Sequence, residues 1–298
     1  MRVRAAGLQT LVQDAGRAGQ AGQGVSASGA LDQGAMRRAN RLLGNAENLP
    51  VLESAAGGLQ LQSVGATVVA VTGATGTLNI LACDGRSWPA ERNTALALND
   101  GDVLQLGEPA TGLRSYVAVR GGWLVEHVLG SASTDTLARI GPPALAAGMT
   151  LAIGDERLAG AVQAPDLAPP VLPQAGDTVV LDVVMGPRSD WFTPEAVARF
   201  AEQRWLVTPQ SNRVGLRLLG DEALVRSITQ ELPSEGTALG AIQVPASGQP
   251  VLFLAGHPLT GGYPVIACIA SHHLDLAGQV PVGAYLQFQV VQPFAEIA

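Results

Sequence analysis

The sequence predicts a mainly β protein with a few short helices, arranged as two β units in tandem. Three observations carry that prediction. Short apolar stretches rich in β-branched and aromatic residues recur along the 298 residues: ATVVAVTG (66–73), LRSYVAVRGG (113–122), TVVLDVVMG (178–186), PVLFLAG (250–256) and YLQFQVVQP (285–293). Gly (36) and Pro (19) are frequent enough to punctuate many turns. A repeated phrase sets a glycine turn before an alternating strand, in LNDGDVLQLG (98–107), LAAGMTLAIG (145–154) and VPVGAYLQFQ (280–289).

Two helices interrupt the strands. In the first, Leu31, Ala35, Ala39, Leu42 and Leu43 fall at helical spacing, with Arg37, Arg38 and Arg41 largely off that face and Gly44-Asn45 closing it. The second starts at Thr193-Pro194, an N-cap followed by proline at the first helical position, and Val197 and Phe200 give it an apolar side. The stretch LAGAVQAPDLAPPVLPQAGDT (158–178) has no period and is rich in Pro, Ala and Gly. It divides the chain into an N-terminal β domain (1–160), a connector (161–177) and a C-terminal β domain (178–298).

Composition excludes several classes. Hydrophobic residues make up 47% and charged residues 14%, which supplies a core and argues against disorder. The net charge of -7, with no basic stripe and 4% aromatics, argues against nucleic-acid binding. No leader-like apolar run opens the chain and no window of 18 or more apolar residues occurs, so neither a signal peptide nor a membrane span is expected. Cys83 and Cys268 show no metal or redox spacing, and a reduced, cytoplasmic protein is the expectation. All 18 basic residues are arginine. The chain therefore carries no Walker A, Schiff-base or biotinylated lysine, and arginine, backbone amides or a partner must hold any anion.

Three stretches concentrate polar and glycine residues. In TLVQDAGRAGQAGQGVSASGALD (10–32), Asp14 and Arg17 flank Gly16 ahead of a glycine-rich loop, which reads as a structural turn or as an anion loop. Asp32 reads as a helix cap or as a functional carboxylate, and Asn40 and Glu53 carry no signal of their own. In QSNRVGLRLLG (210–220), Asn212 and Arg213 make either a plain turn or a carboxylate-orienting pair. In the third (232–267), Gly261-Gly262-Tyr263-Pro264 forms a constrained turn between apolar strands, with Tyr263 free to stack on a ligand. His257 is a lone histidine. His272 and His273 would point to opposite faces of a strand with no third ligand at matching spacing, so no metal site is expected.

Four motifs, in order, resemble one family: TLVQDAGRAG, SGALDQGAMRRANRLLGN followed by LE, QSNRVGLRL, and SEGTALGAIQVPASGQPVLFLAG leading to TGGYPVIA. The chain is similar over nearly its whole length to the allophanate hydrolase subunit 2 family, also called the biotin-dependent carboxyltransferase or KipA-like family. The resemblance implies tandem cyclophilin-like β-barrel domains. It implies a catalytic set of Asp14, Arg17, Asp32, Arg213 and Tyr263. Ser28, Gly29, Asn40, Glu53, Asn212, Gly261 and Gly262 would bind substrate beside them, with the connector folded across the outside. It also implies partners: a KipI-like (allophanate hydrolase subunit 1) small subunit and a lactam-utilisation subunit. With them the chain would serve as the C-subunit of an ATP-dependent 5-oxoprolinase, converting 5-oxoproline to glutamate, with Mg-ATP on or shared with a partner. Two other activities occur in the family: carboxyl transfer to urea or a related amide from a separate biotin carrier, and non-catalytic regulation through a KipI-like kinase inhibitor. The chain departs from the family pattern at Leu216, where relatives carry a tyrosine, at Leu259, where they carry threonine, and at Val265, where they carry a basic residue.

Overall fold

The computed structural model describes residues 1–164 and 168–293, so the expected connector and the expected C-terminal domain fall partly outside the described residues, at 165–167 and 294–298. The chain forms two compact units. The first comprises Met1–Arg17 and Ser28–Leu172, and the second comprises Ala18–Ala27 and Pro173–Ala298. The break after Leu172 falls inside the Pro/Ala-rich stretch. The membership of 18–27 in the second unit had no signal in the sequence.

In the first unit, strands β1 (Arg2–Ala6), β2 (Gln9–Gln13), β3 (Val51–Ala55), β4 (Leu59–Gln62), β5 (Thr67–Gly73), β6 (Gly76–Leu81), β7 (Ser87–Pro89), β8 (Ala95–Leu98), β9 (Val103–Pro109) and β10 (Arg114–Val119) make two five-stranded sheets, ordered β1-β4-β9-β6-β7 and β2-β3-β10-β5-β8. A short pair, β11 (Trp123–Leu124) and β12 (Ala152–Ile153), stands apart. The two sheets share one apolar core, in which Val3, Leu59, Leu61, Ile80 and Leu104 meet Val12, Leu52, Val69, Val71, Val117 and Val119. The β-branched residues suit strands because they pack on a pleated, buried surface. β10 is buried at every position because both of its faces are covered. Helix α1 (Gln33–Leu42) lays Ala35, Met36, Ala39 and Leu42 against Tyr116 and Ala118 of β10 and Ala70 of β5. Beyond α1, the Gly160 and Gln163 amides donate to the carbonyls of Gly44 and Leu42, fastening the start of the connector to the helix end.

Asp32 caps α1. Its backbone is extended, and Oδ1 accepts from the Ala35 amide at 2.7 Å. Replacing it with alanine leaves that buried donor unpaired. Asp32→Ala is expected to lower stability by about 1 kcal/mol or somewhat more, measured by urea denaturation. An unchanged midpoint would contradict the cap.

The second unit is a closed seven-stranded barrel ordered β13-β20-β17-β18-β15-β14-β21, in which β13 (Thr178–Met185) returns to pair with β21 in parallel. The other barrel strands are β14 (Trp205–Val207), β15 (Gly215–Leu219), β17 (Ala241–Gln243), β18 (Val251–Phe253), β20 (Val265–Ile269) and β21 (Tyr285–Gln292). A two-stranded ladder, β16 (Glu235–Gly236) with β19 (Thr260–Gly261), lies outside it. Alternation along β13 buries Val179, Leu181, Val183 and Met185. Helix α2 (Pro194–Glu202) is capped by Thr193 Oγ1, which accepts from the Ala196 amide at 3.2 Å. Its Phe200 stacks on Phe288 of β21, centroids 4.6 Å apart. Helix α3 (Leu274–Gln279) follows β20. Leu216, one of the departures, is a buried barrel residue paired with Leu252.

Candidate functional site

Of the expected site residues, Asp14, Arg17, Ser28, Gly29, Asp32, Asn40 and Glu53 lie in the first unit. β2 ends at Gln13 and the chain turns at Asp14, whose buried carboxylate is saturated. Oδ1 accepts from Ser131 Oγ (2.6 Å), Ser133 Oγ (2.6 Å) and the Gly16 amide (2.8 Å), and Oδ2 accepts from the Ala132 amide (2.7 Å). Burial is the largest single influence and pushes the Asp14 pKa up. The four hydrogen bonds together outweigh it and hold the group below its ordinary value. Asp14 is thus an anion that fixes residues 131–133.

Arg17 reaches into the same loop. Nη2 donates to the Ser133 carbonyl and Nε to the Val128 carbonyl at 3.4 Å. Burial lowers its pKa, opposed by the charges of Asp135 and Asp14. Nη1 is buried with no hydrogen-bond partner among the described residues, and Gln13 Oε1 is in the same state. An unpaired buried donor is rare in folded proteins, because it forfeits its water without replacement. A cavity of about 370 Å³ runs along the loop, walled by Leu11, Thr134, Asp135, Arg139, Gly141 and Pro142.

The 28–30 segment docks beside Asp14. Ser28 has φ 52 and its Oγ donates to the Thr134 carbonyl (3.0 Å), while the Ala30 amide donates to the Asp14 carbonyl (2.9 Å). Gly29 has φ +94, and a Cβ there would lie 3.0 Å from the Ala15 carbonyl. Only glycine fits, and the non-glycine left-handed residue before it stores strain next to the arginine.

A second buried network lies under the start of α1. Glu53 Oε2 accepts from the Leu31 amide (2.8 Å) and from Tyr116 Oη (3.0 Å), and Arg114 Nε stands 3.9 Å from Oε1. Tyr116 Oη also accepts from the Asp32 amide (2.8 Å). Burial, then the charges of Glu53 and Asp32, push the Tyr116 pKa far up, so the phenol stays protonated and donates. Asn40 stands apart from the other expected residues. Eight helical residues past Asp32 place it about 12 Å along the axis. Its Nδ2 donates to the Glu47 and Leu49 carbonyls, which closes the turn after α1.

Asn212, Arg213, Gly261, Gly262 and Tyr263 lie in the second unit. Asn212 Oδ1 accepts from the Val214 amide (2.8 Å), a side-chain-closed turn that delivers buried Arg213 to the 254–257 loop, where the Gly256 amide donates to its carbonyl (3.2 Å). A Cβ on Gly261 would lie 2.5 Å from Gln243 Nε2, which donates instead to the Tyr263 carbonyl (2.9 Å). Tyr263 is half-exposed, with the Arg226 guanidinium 5.7 Å from its ring centroid. His257 is buried, with Nδ1 2.8 Å from the Pro258 carbonyl, the geometry of a protonated Nδ1.

The sequence reading missed Ser131, Ser133 and Tyr116, and it missed Arg188–Glu235, which form an ion pair beside the Gly261 ladder. It also misjudged the histidine pair. His272 and His273 sit on a single 3-10 turn, not a strand, so both rings approach one group, Asp182. His272 Nε2 lies 3.1 Å from Asp182 Oδ2, and His273 Nδ1 accepts from the Asp182 amide at 2.8 Å. That bond occupies the Nδ1 lone pair and places the proton on Nε2, which leaves neither nitrogen of His273 to ligate a metal.

Burial, then the His272 charge, lowers the His273 pKa against the pull of Asp182. Its native pKa is thus below the unfolded value, so the unfolded state binds more protons in that window. Stability from this contact is expected to be full above about pH 6.5 and to fall as pH drops through the lowered native pKa. A melting curve whose wild-type pH slope between about 5 and 7 persists unchanged in His273→Gln would contradict it.

These features define a class: a mainly β chain with, in its first unit, a buried arginine with one unused donor and a carboxylate that fixes its loop, and, in its second, a glycine-tyrosine turn. The model of the family described as carboxyltransferase domain, subdomain A and B, matches residues 23–290. The chain is 35% identical to the 5-oxoprolinase C-subunit of Escherichia coli K12 over 97% of its own length and 90% of that protein's. It is 34% identical to the urea amidolyase of Lachancea kluyveri over 96% of its length, but it spans only 16% of that protein. Among solved structures, the K. lactis urea amidolyase superposes with a TM-score of 0.86 at 30% identity, over 97% of this chain and 18% of that one. The chain belongs to the carboxyltransferase-domain family. Among the described residues, no helix is long and apolar enough to cross a membrane.

Proposed function

We propose that the chain is the carboxyltransferase-family subunit of a multi-subunit, ATP-dependent 5-oxoprolinase. The observation that carries the reading is Arg17, a buried cation with one donor unused, anchored to Ser133 next to the 134–144 segment that walls a cavity. The near full-length match to a 5-oxoprolinase C-subunit supports it.

A lactam carbonyl is a poor electrophile. Phosphorylation of its oxygen makes the ring carbon open to water. Water adds, the ring C–N bond breaks, and the nitrogen takes the proton and becomes the amine, which leaves an acyl phosphate; a second water releases inorganic phosphate and glutamate. Negative charge builds on oxygen in the ring-opening step, and Arg17 Nη1 supplies a fixed, dry donor for it. Asp14 positions Arg17 through Ser133. ATP is assigned to a partner, the KipI-like small subunit or the lactam-utilisation subunit. The glycine-rich loop does not fit a phosphate cradle, because the amides of Gln23, Gly24 and Val25 bond to carbonyls of Gln20 and Ala21 within the loop.

A second reading, carboxyl transfer to urea or a related amide, is favoured by the family description and by the superposition on urea amidolyase. It needs a separate biotin carrier, since the chain has no lysine. The two part in one experiment: the assembled complex receives 5-oxoproline in one arm, and in the other urea, labelled bicarbonate and a biotinylated carrier. Glutamate in the first arm alone supports the leading reading. Label in an alkali-stable, acid-labile urea adduct that requires the biotinylated carrier, with no glutamate, overturns it.

A further inference from the structure

In the barrel unit, a cavity of about 380 Å³ is walled by Val184 and Met185 of β13, Ala238, Ala241 of β17, and Val265 and Cys268 of β20. We propose that this cavity is a specificity pocket that receives the uncharged aliphatic part of a lactam or amide larger than 5-oxoproline, with Val265 setting the preference. The inference rests on the amide chemistry proposed above and goes beyond its substrate.

The argument is one of charge and position. Among the described residues the only formally charged side chain in the wall is Glu235, and its carboxylate is engaged by Arg188 through Nε at 3.1 Å and through Nη2. A charged ligand group entering there would lose water and find no counter-ion, whereas an aliphatic group only gains. Burial raises the Cys268 pKa, so this wall carries a neutral thiol that packs as a small apolar group. The pocket lies beside the glycine-tyrosine turn. Glu235 and Gly236 pair with Gly261 and Thr260, and Val265 follows Tyr263 by two positions. Its wall is also held close: a Cβ on Gly186, at the end of β13, would lie 2.5 Å from the Val265 carbonyl oxygen. A cationic side chain at 265 would bring a charge into this wall.

The test is ligand-observed NMR on the full chain with ε-caprolactam, a neutral lactam with a longer aliphatic ring, and 5-oxoproline as the charged comparison. Caprolactam is expected to bind saturably, and Val265→Arg to weaken it by about tenfold or more. Where that variant does not fold, the wild type decides by alkylation with N-ethylmaleimide read by peptide mass: caprolactam is expected to slow modification of Cys268 and not of Cys83. No saturable caprolactam signal, equal affinity in Val265→Arg, or unprotected Cys268 overturns the proposal. Binding is read without turnover, so a caprolactam-binding chain whose complex opens no lactam refutes only the catalytic reading. Glutamate release by a complex whose chain ignores caprolactam refutes only the pocket.

Discussion

Arg17→Met is expected to reduce kcat/KM of the assembled complex for 5-oxoproline by roughly 10²–10³-fold, with the loss in kcat. The reason is geometric. Two of the guanidinium nitrogens are spent on the Ser133 and Val128 carbonyls, and Nη1 alone remains for a developing oxyanion. Arg17→Lys keeps the charge and loses the planar fork, so it is expected to restore little. Stability reports separately. Losing the two carbonyl contacts is expected to lower unfolding free energy by about 1–3 kcal/mol, too little to unfold a core of this size. A lysine variant with wild-type kcat/KM would contradict the role.

Asp14→Ala is expected to be the most destabilising single change in the site. It removes the acceptor of two serine hydroxyls and two amides at once, all in buried surroundings. Each unpaired donor costs about 1–3 kcal/mol, with partial relief as the serines turn, so a total of roughly 3–5 kcal/mol follows. Urea denaturation measures it. The pH dependence carries the same sign as that of His273 but lies lower on the scale. The native Asp14 pKa is depressed, so its contribution is full above the ordinary value of 3.8 and is lost as pH falls through the lowered native value. Asp14→Ala should flatten that acid limb. A variant that melts with the wild type would mean the network does not hold residues 131–133.

Local chemistry was the legible part of this fold. β-branched runs announced β5, β10, β13 and β21, and Thr193-Pro194 and Asp32 marked the starts of both longer helices. Motif resemblance singled out Asp14, Arg17 and the glycine-tyrosine turn and implied a catalytic role for them, but not the contacts they make. Asp14 and Ser133 are 119 positions apart, Glu53 and Tyr116 63, and Arg188 and Glu235 47, and no spacing rule connects them. Asn40 shows the converse. It belongs to a motif, yet its hydrogen bonds close a turn, because a helix carried it away from Asp32. The histidine pair was misjudged because alternation was applied to residues that fold as a 3-10 turn, and because Asp182 lies 90 positions away.

The most direct measurement is glutamate release from 5-oxoproline by this chain with the small subunit and the lactam-utilisation subunit proposed for it, with each chain and ATP omitted in turn. The account predicts release that requires ATP and all three chains and that falls away with Arg17→Met. Full release without this chain, or none from a stable, ATP-supplied complex of all three, would contradict it.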